Sequence, residues 1–302
     1  TIDSECQESH NNNVVKSVLG NINDTDTLQR VYKKYRPHVV FHAAAYKHVP
    51  IQELHPWTSV ETNVIGTMKL VEFSVKYRVE KFVLVSTDKA VHPVNVMGAT
   101  KRLAERIIQT VENNKTEFFA VRFGNVIGSS GSVIPTFQRQ IEKGGPVTIT
   151  HPEMTRYFMS ISEASQLILQ AGALGKNGQI FVLDMGEPIK IKDMAFDLIR
   201  LSGFEPEKDI QVTYTGLRPG EKLCEELITK GENFEKTTHK KIMIIQDKVP
   251  QKSWSVFKKE IDALQNTIKT FDSDIIKNQL ESFLPEYEPQ DYHSPIPENL
   301  FS

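Results

Sequence analysis

Lys81-Phe-Val-Leu-Val-Ser86-Thr-Asp-Lys-Ala-Val-His-Pro-Val-Asn-Val-Met97-Gly-Ala-Thr-Lys101 is the stretch whose reading decides the fold. It begins as an apolar strand, Lys81 to Ser86, and passes through a short polar loop into a helix that runs from Asn95 to Asn113. In a parallel α/β sheet, ligands collect beyond the carboxyl ends of the strands. Ser86, Thr87, Asp88 and Lys89 therefore stand where chemistry is expected. Asp88 and Lys89 offer an adjacent acid and base. Met97 and Lys101 are four residues apart and share one helix face.

The same alternation extends to both sides. Upstream, Asp24 to Tyr35 carries a helical pattern that Arg36-Pro37 ends. Val39-Val-Phe-His-Ala-Ala-Ala45 is a continuous apolar run, as expected of a strand buried on both faces. Trp57 to Tyr77 reads as one long helix with Val60, Val64, Met68, Val71 and Val75 on one stripe. Downstream, Glu117 to Arg122 is the next strand. Strand–helix alternation implies a parallel sheet with right-handed crossovers. After Arg122 the texture changes to a loop rich in small residues, Gly124 to Ser132, and then to shorter elements. Strands are expected at Val147–Thr150, Arg156–Met159, Gln179–Leu183, Ile210–Tyr214 and His239–Ile245, and helices at Ser162–Ala173, Ile191–Ser202 and Trp254–Gln265. A short helix is expected after the Leu217–Lys222 turn. From Pro285 the chain reads as an extended or disordered tail.

Bulk properties narrow the function. The chain has 302 residues, 39% apolar and 25% charged, with a net charge of −2. That length allows two lobes, and the balanced charge gives no basic field for nucleic acid. Two cysteines, Cys6 and Cys224, provide neither a disulfide framework nor a metal spacing, and point to a reducing compartment. The nine histidines show no paired ligand spacing, so no metal is expected. No apolar run reaches the length of a membrane span, and the polar start does not read as a signal peptide.

The segment from Thr87-Asp88-Lys89 to Met97-Gly-Ala-Thr-Lys101 resembles the active-site segment of extended short-chain dehydrogenases/reductases, whose usual helix motif is Tyr-x-x-x-Lys. Met97 in place of Tyr, after Thr-Asp-Lys, is similar to one subgroup, the membrane-anchored UDP-N-acetylglucosamine 4,6-dehydratases of bacterial polysaccharide and glycan synthesis. The resemblance covers about residues 37 to 246. It implies a Rossmann-like, doubly wound parallel α/β sheet with a smaller C-terminal substrate lobe. The expected division is residues 1–125 for NAD(P) binding, 126–250 for the nucleotide-sugar lobe with elements returning to the sheet, and 251–302 for a C-terminal helix and tail.

The resemblance also implies roles. In a 4,6-dehydration, hydride leaves the sugar C4 for NAD (or NADP), the resulting ketone acidifies the C5 proton, a base takes that proton while an acid protonates the departing C6 hydroxyl, and hydride returns to C6. Asp88 takes the acid role and Lys89 the base role. A lysine serves as a base near neutral pH only if its pKa is lowered, and a partly buried Asp can hold a proton. Thr87 is placed to hydrogen-bond the 4-oxygen. Lys101 bonds the nicotinamide ribose. Met97 has no titratable group, so the acceptor of the C4 hydroxyl proton is left open. His42, Ala43, Ala44 and Ala45 line the cofactor crevice with Ser86, and Asn63 organises its helix and a bound water beside the cofactor. Lys47, within Tyr46-Lys47-His48-Val49-Pro50, is a contact to cofactor or sugar nucleotide. Asn125, Arg156, Arg218 and Glu221 form the nucleotide-sugar site: an amide for the sugar, a guanidinium for the pyrophosphate, and an Arg-Pro-Gly turn with Glu221 at a helix start, where it can accept a ribose hydroxyl. Asn21 falls where the family places an Asp near the adenine.

No Gly-x-Gly-x-x-Gly turn occurs in the chain, so the expectation is a fragment lacking its first βαβ segment. Such a fragment binds NAD poorly and exposes a strand edge. The cofactor of the whole enzyme stays bound and is recycled. The parent is expected to be a homo-oligomer held at the cytoplasmic face of the inner membrane by upstream spans. Two readings stand beside the dehydratase: an epimerase or reductase on a related nucleotide sugar, and a catalytically inactive sugar-nucleotide-binding remnant.

Overall fold

The computed structural model describes residues 15–112, 115–129, 131–228, 233–246 and 252–289. Asp24 starts the first helix, α1 (Thr25–Tyr35), by accepting from the amides of Asp26 and Thr27. Strand β1 (Val39–His42) and the short helix α2 (Val49–Leu54) come next. They lead into a continuous helical rod, α3, built from Pro56–Ser59, a π-helical stretch Val60–Gly66, and Thr67–Tyr77. Strand β2 (Lys81–Val85), a 3-10 turn at Asp88–Ala90, helix α4 (Val96–Thr110) and strand β3 (Glu117–Arg122) complete the segment that decided the fold.

The smaller elements then run β4 (Asn125–Val126), α5 (Val133–Glu142), β5 (Val147–Ile149), β6 (Thr155–Arg156), β7 (Phe158–Met159) and α6 (Ile161–Leu174). They continue with β8 (Ile180–Leu183), β9 (Ile189–Lys190), α7 (Ile191–Leu201), β10 (Val212–Tyr214), β11 (Asn233–Lys236), β12 (Ile242–Gln246), α8 (Trp254–Thr267) and α9 (Ser273–Phe283).

The main sheet has the order β1-β2-β3-β8-β12-β11. The first three pairings are parallel and the last two antiparallel. Side chains alternate across it with a period of two. Phe82, Leu84, Phe118, Ala120 and Val182 face a core built with α3, α4, α8 and α9. Val83, Phe119, Val121, Phe181 and Leu183 face a second core roofed by Ala164, Leu167 and Ala171 of α6. A third cluster joins Phe137 and Ile141 of α5, Val147 and Ile149 of β5, Ala195 and Ile199 of α7, and Val212 of β10. That third core belongs to the smaller elements alone.

Several expectations are corrected. Strand β1 is not buried on both faces: Val39 is 41% and Phe41 44% exposed, because β1 is the outer strand among the described residues. The stripe from Val60 to Val75 is broken, with Val75 36% exposed. The π-helical turn adds a residue to the local repeat and so rotates the side chains of the succeeding turns about the helix axis. The expected strand Arg156–Met159 is two strands in two sheets, with β6 pairing β9 and β7 pairing β4. The short helix expected after the Leu217–Lys222 turn is not found among the described residues 221–228, which are irregular.

The C-terminal reading is also corrected. Helix α9 is present, and Leu284 and Tyr287 are buried in the main core with Ile276 and Leu280. Glu286 pairs with Arg102 and Arg106 of α4. Residues 290–302, the rest of the expected tail, lie outside the described residues.

Burying a leucine side chain contributes on the order of 1.5–3 kcal/mol, so the α8–α9 hairpin is a structural part of the sheet's cover. Leu280→Ala should lower the unfolding free energy by about 2–5 kcal/mol in urea titration. A loss below about 0.5 kcal/mol, the range of ordinary surface substitutions, would show that the hairpin is not packed.

Candidate active site

Strand β2 ends at a buried carboxylate. Glu105, on α4, is fully buried and takes the Nε and one terminal nitrogen of Arg122 at 2.7 and 2.8 Å. It also accepts from Arg102 at 3.0 Å and from the Ser86 hydroxyl at 2.7 Å. Burial opposes its charge, but two guanidiniums and the hydroxyl hold its pKa down to about 2. The Ser86 hydroxyl hydrogen is thus spent on the scaffold.

Beyond Ser86 the chain turns so that Asp88 is fully buried. One of its oxygens, Oδ1, accepts from the Thr87 hydroxyl at 2.8 Å and from Lys89 Nζ at 3.1 Å. The other, Oδ2, is buried without a hydrogen-bond partner. Two glycines make this enclosure possible. A Cβ on Gly124 would lie 3.0 Å from Asp88 Oδ2, and one on Gly98 would lie 2.2 Å from the Lys89 carbonyl. Helix α4 therefore docks directly on the acid/base turn, and only glycine at 98 lets it do so.

Lys89 Nζ lies 3.4 Å from Asn125 Oδ1 and 3.6 Å from Glu225 Oε1. Desolvation pulls its pKa down, yet the carboxylates of Asp88 and Glu225 outweigh both that and the repulsion of Arg156, leaving it raised above the usual lysine range. The expected lowered pKa at Lys89 is thus corrected: in this arrangement the side chain is an ammonium. The lysine with a lowered pKa is Lys101. Its Nζ donates to the Val85 carbonyl at 2.6 Å, and burial, partly opposed by Glu105, brings it to about 8.

Met97, one helical turn before Lys101, is buried and adds an apolar wall. Asn63 lies in the π-helical turn and clamps two segments together. Its Oδ1 accepts from the Tyr46 amide at 2.8 Å, and its Nδ2 reaches the Tyr46 carbonyl at 3.1 Å and the Thr100 hydroxyl at 3.0 Å. His42 belongs to the core rather than to the crevice. Its Nε2 sits 2.8 Å from the Thr67 hydroxyl, which gives its own hydrogen to the Asn63 carbonyl at 2.7 Å, so Nε2 is the donor. Burial lowers the pKa of His42 to about 3, helped by the charge of Lys101. Ala43 and Ala44 are exposed at the open end of β1 and Ala45 is half-buried.

The sugar-nucleotide residues are placed unevenly. Asn125 joins the Asp88–Lys89 group. Arg156 is buried with its terminal nitrogens on the carbonyls of Thr155, Leu223 and Lys222 at 2.7, 3.1 and 2.8 Å. Its fork is thus closed on backbone, which corrects the expected free guanidinium. Arg218 is paired with Glu221 at 2.6 Å in an irregular turn, so Glu221 is not at a helix start. Gly220, at φ 74°, packs that turn against Asn95, whose amide donates to the Gly220 carbonyl at 2.8 Å. Lys47 is exposed, with its pKa lowered by desolvation. Asn21 Oδ1 accepts from the Asn23 amide at 2.9 Å and so closes its own turn.

Sequence reasoning missed Glu105, Glu225 and Gly98. A buried-network carboxylate on α4 carries no local signal. Glu225 stands in an irregular segment that was expected to be a helix.

The small side chains at the end of β1 and the buried cation of Lys101 at the end of β2 fit the nicotinamide and ribose half of a dinucleotide. Among the described residues no cluster of three His, Cys, Asp or Glu is placed to hold a metal, and no helix is long and apolar enough to cross a membrane.

Comparison with known proteins gives a consistent neighbourhood. The family described as polysaccharide biosynthesis protein matches residues 1–247. The capsular polysaccharide biosynthesis protein CapD of Staphylococcus aureus is 52% identical over 245 residues, 80% of this chain and 41% of CapD. A UDP-glucose 4-epimerase of Rickettsia canadensis is 40% identical over 63% of this chain and 55% of its own length. The X-ray structure of Pen from Bacillus thuringiensis superposes with a TM-score of 0.75 at 32% identity, covering 83% of this chain and 78% of Pen. The chain thus spans about two fifths to a little over half of these two curated relatives.

The electrostatics predict a pH response. Glu105 has a folded pKa of about 2 against an ordinary 4.5. Its contribution is complete above pH 4.5 and is lost as pH falls towards 2, because the unfolded chain takes up a proton that the folded one refuses. Glu105→Gln should cost about 3–5 kcal/mol at neutral pH, by removing the carboxylate that faces the buried Arg122 guanidinium. Urea midpoints should then vary less with pH between 4.5 and 2 than in the unaltered chain. An unchanged slope would remove Glu105 as the source.

Proposed function

Because the chain belongs to the polysaccharide biosynthesis protein family, we propose that it performs the 4,6-dehydration of a UDP-N-acetyl-hexosamine, taking UDP-N-acetylglucosamine to a UDP-4-keto-6-deoxy sugar. The observation that supports this reading is the Thr87-Asp88-Lys89 unit: a buried carboxylate with one oxygen hydrogen-bonded to a lysine and the other unpartnered. Hydride transfer alone requires no such pair. Elimination of water across C5 and C6 requires an acid and a base side by side.

NAD or NADP, when bound, accepts hydride from C4 and returns it to C6, so the cofactor is recycled. Lys101 and Ala43 to Ala45 are the residues that would border it, in a division of labour where residues 1–125 hold the cofactor and 126–250 the sugar nucleotide.

The protons can be counted on the residues present. Lys89 is an ammonium beside the Asp88 carboxylate, 3.1 Å apart. Transfer of one proton from Lys89 Nζ to Asp88 converts the ion pair into a neutral acid and a neutral amine with no change in net charge. Asp88 then protonates the departing C6 hydroxyl while Lys89 takes the C5 proton. That step restores the ion pair. Lys89 gives a proton back to C5 and regains one from solvent, which matches the proton that the C4 hydroxyl loses to solvent when C4 is oxidised. One water leaves per turnover and no net proton is exchanged. Thr87, donating to Asp88 Oδ1, holds the carboxyl in place. Asn125 orients Lys89 from the far side. Met97 keeps water from the C4 side without taking a proton.

The longer protein is proposed to act at the cytoplasmic face of the inner membrane, as a homo-oligomer.

The test is to incubate the whole protein with UDP-N-acetylglucosamine and catalytic NAD and to follow mass. Loss of one water is expected, with Asp88→Asn and Lys89→Ala each lowering kcat by about 10²–10⁴-fold. A new sugar of unchanged mass by NMR would replace the dehydratase with an epimerase. Sugar-nucleotide binding without turnover would leave the binding remnant.

A further inference from the structure

Four charges meet beyond the end of β2, and only two of them enter the proposed chemistry. Glu225 has a side chain 3% exposed. Its Oε1 lies 3.6 Å from Lys89 Nζ and 3.9 Å from Arg156. Its Oε2 is buried without a hydrogen-bond partner. A carboxylate enclosed in this way is costly unless its charge is used. Arg156 is fixed to three backbone carbonyls and cannot swing away. Asp88, Glu225, Lys89 and Arg156 therefore form a quartet of two negative and two positive charges.

The balance has a consequence for the lysine. Without Glu225, the quartet would be a triad with one excess positive charge, contributed by an arginine that cannot lose its proton. That excess would favour loss of the proton from Lys89. With Glu225 present, Arg156 is neutralised and the Asp88–Lys89 pair is left to exchange one proton at no cost in net charge. Glu225 is not hydrogen-bonded to Lys89, whereas Asp88 is, so the proton passes to Asp88.

We propose that Glu225 is a positioning residue for the acid/base pair: it neutralises Arg156 and holds the Lys89 ammonium against Asp88, fixing which of the two carries the proton. The kinetic side of this assignment rests on the dehydratase reading, while the electrostatic side does not. The groups facing Lys89 are Asp88 from its own turn, Arg156 from β6, Glu225 from the segment after the Arg-Pro-Gly turn, and the neutral Asn125 from β4. Tyr157, with its pKa raised by burial and by Glu187 and Asp88, flanks the carboxyl side.

The experiment separates the two sides. Chain labelled with 13Cε-lysine is titrated by NMR, and the Lys89 resonance is assigned by its absence in Lys89→Arg. In Glu225→Gln, which keeps the side-chain shape, the Lys89 midpoint should fall by about one pH unit or more. Glu225→Asp should give a smaller fall, and it decides alone if the glutamine variant does not fold. A midpoint that moves by less than about 0.2 unit, well inside one pKa unit, overturns the proposal whatever the turnover.

Where the chain releases water from the sugar nucleotide, the kcat–pH profile of Glu225→Gln should move to lower pH, with KM within about threefold, a difference under 1 kcal/mol. A raised KM with an unmoved profile would mark Glu225 as a binding residue and overturn its positioning role. A shifted Lys89 midpoint in a chain that never releases water upholds Glu225 and overturns the dehydratase reading.

Discussion

The carboxylate of Glu105 is the constraint on which the site is built. It sits fully buried between Arg122 of β3 and Arg102 of its own helix, and it takes the hydroxyl of Ser86 at the end of β2. Three elements are thereby tied at one point. A buried ion pair adds little stability over an apolar isostere, but breaking it by removing one partner is expensive. Its value here is placement. With Ser86 held, the next three residues can turn only towards Gly124 and Gly98. The absence of side chains at those two positions admits the enclosed Asp88 and the close-packed backbone of Lys89.

The same economy of charge continues outward. Asp88, Lys89, Glu225 and Arg156 sum to zero in a region shielded from water, where an unbalanced charge would be costly. Three of the four are held by something that does not titrate: Asp88 by Thr87, Lys89 by Asn125, Arg156 by backbone carbonyls. The result is an adjacent carboxylate and ammonium in a fixed frame. Lys101 differs because it has a carbonyl and no adjacent carboxylate in contact. Desolvation therefore dominates it, and its pKa falls where that of Lys89 rises. Two buried lysines acquire opposite shifts because the anions beside Lys89 outweigh its desolvation, whereas the charge of Glu105 only partly offsets that of Lys101.

The helices around the sheet serve this frame. The π-helical turn in α3 places Asn63 where it can bond both Tyr46 and Thr100, joining the open end of β1 to the helix that carries Lys101. The α8–α9 hairpin covers the opposite side of α4, and Glu286 reaches Arg102, itself a partner of Glu105. A line of hydrogen bonds thus runs from the C-terminal segment to Ser86.

The order of the main-sheet strands from β1 to β8 and of α3, α4 and α6 between them was legible from the sequence, because apolar periodicity is a local property that each segment carries by itself. So was the Thr-Asp-Lys to Met-Gly-Ala-Thr-Lys segment, because loop and helix are contiguous and their spacing survives folding. The exposure of β1, the break in the α3 stripe and the docking of α9 were not legible. Each depends on which distant element lies alongside, or on one residue added to a helical repeat. Still less could the sequence show that Glu225 would stand beside Lys89, that the Arg156 fork would close on backbone, or that His42 would turn into the core. Residue type specifies what a charge can do, while burial and neighbours specify its proton affinity. Those neighbours come from parts of the chain that only the folded sheet brings together.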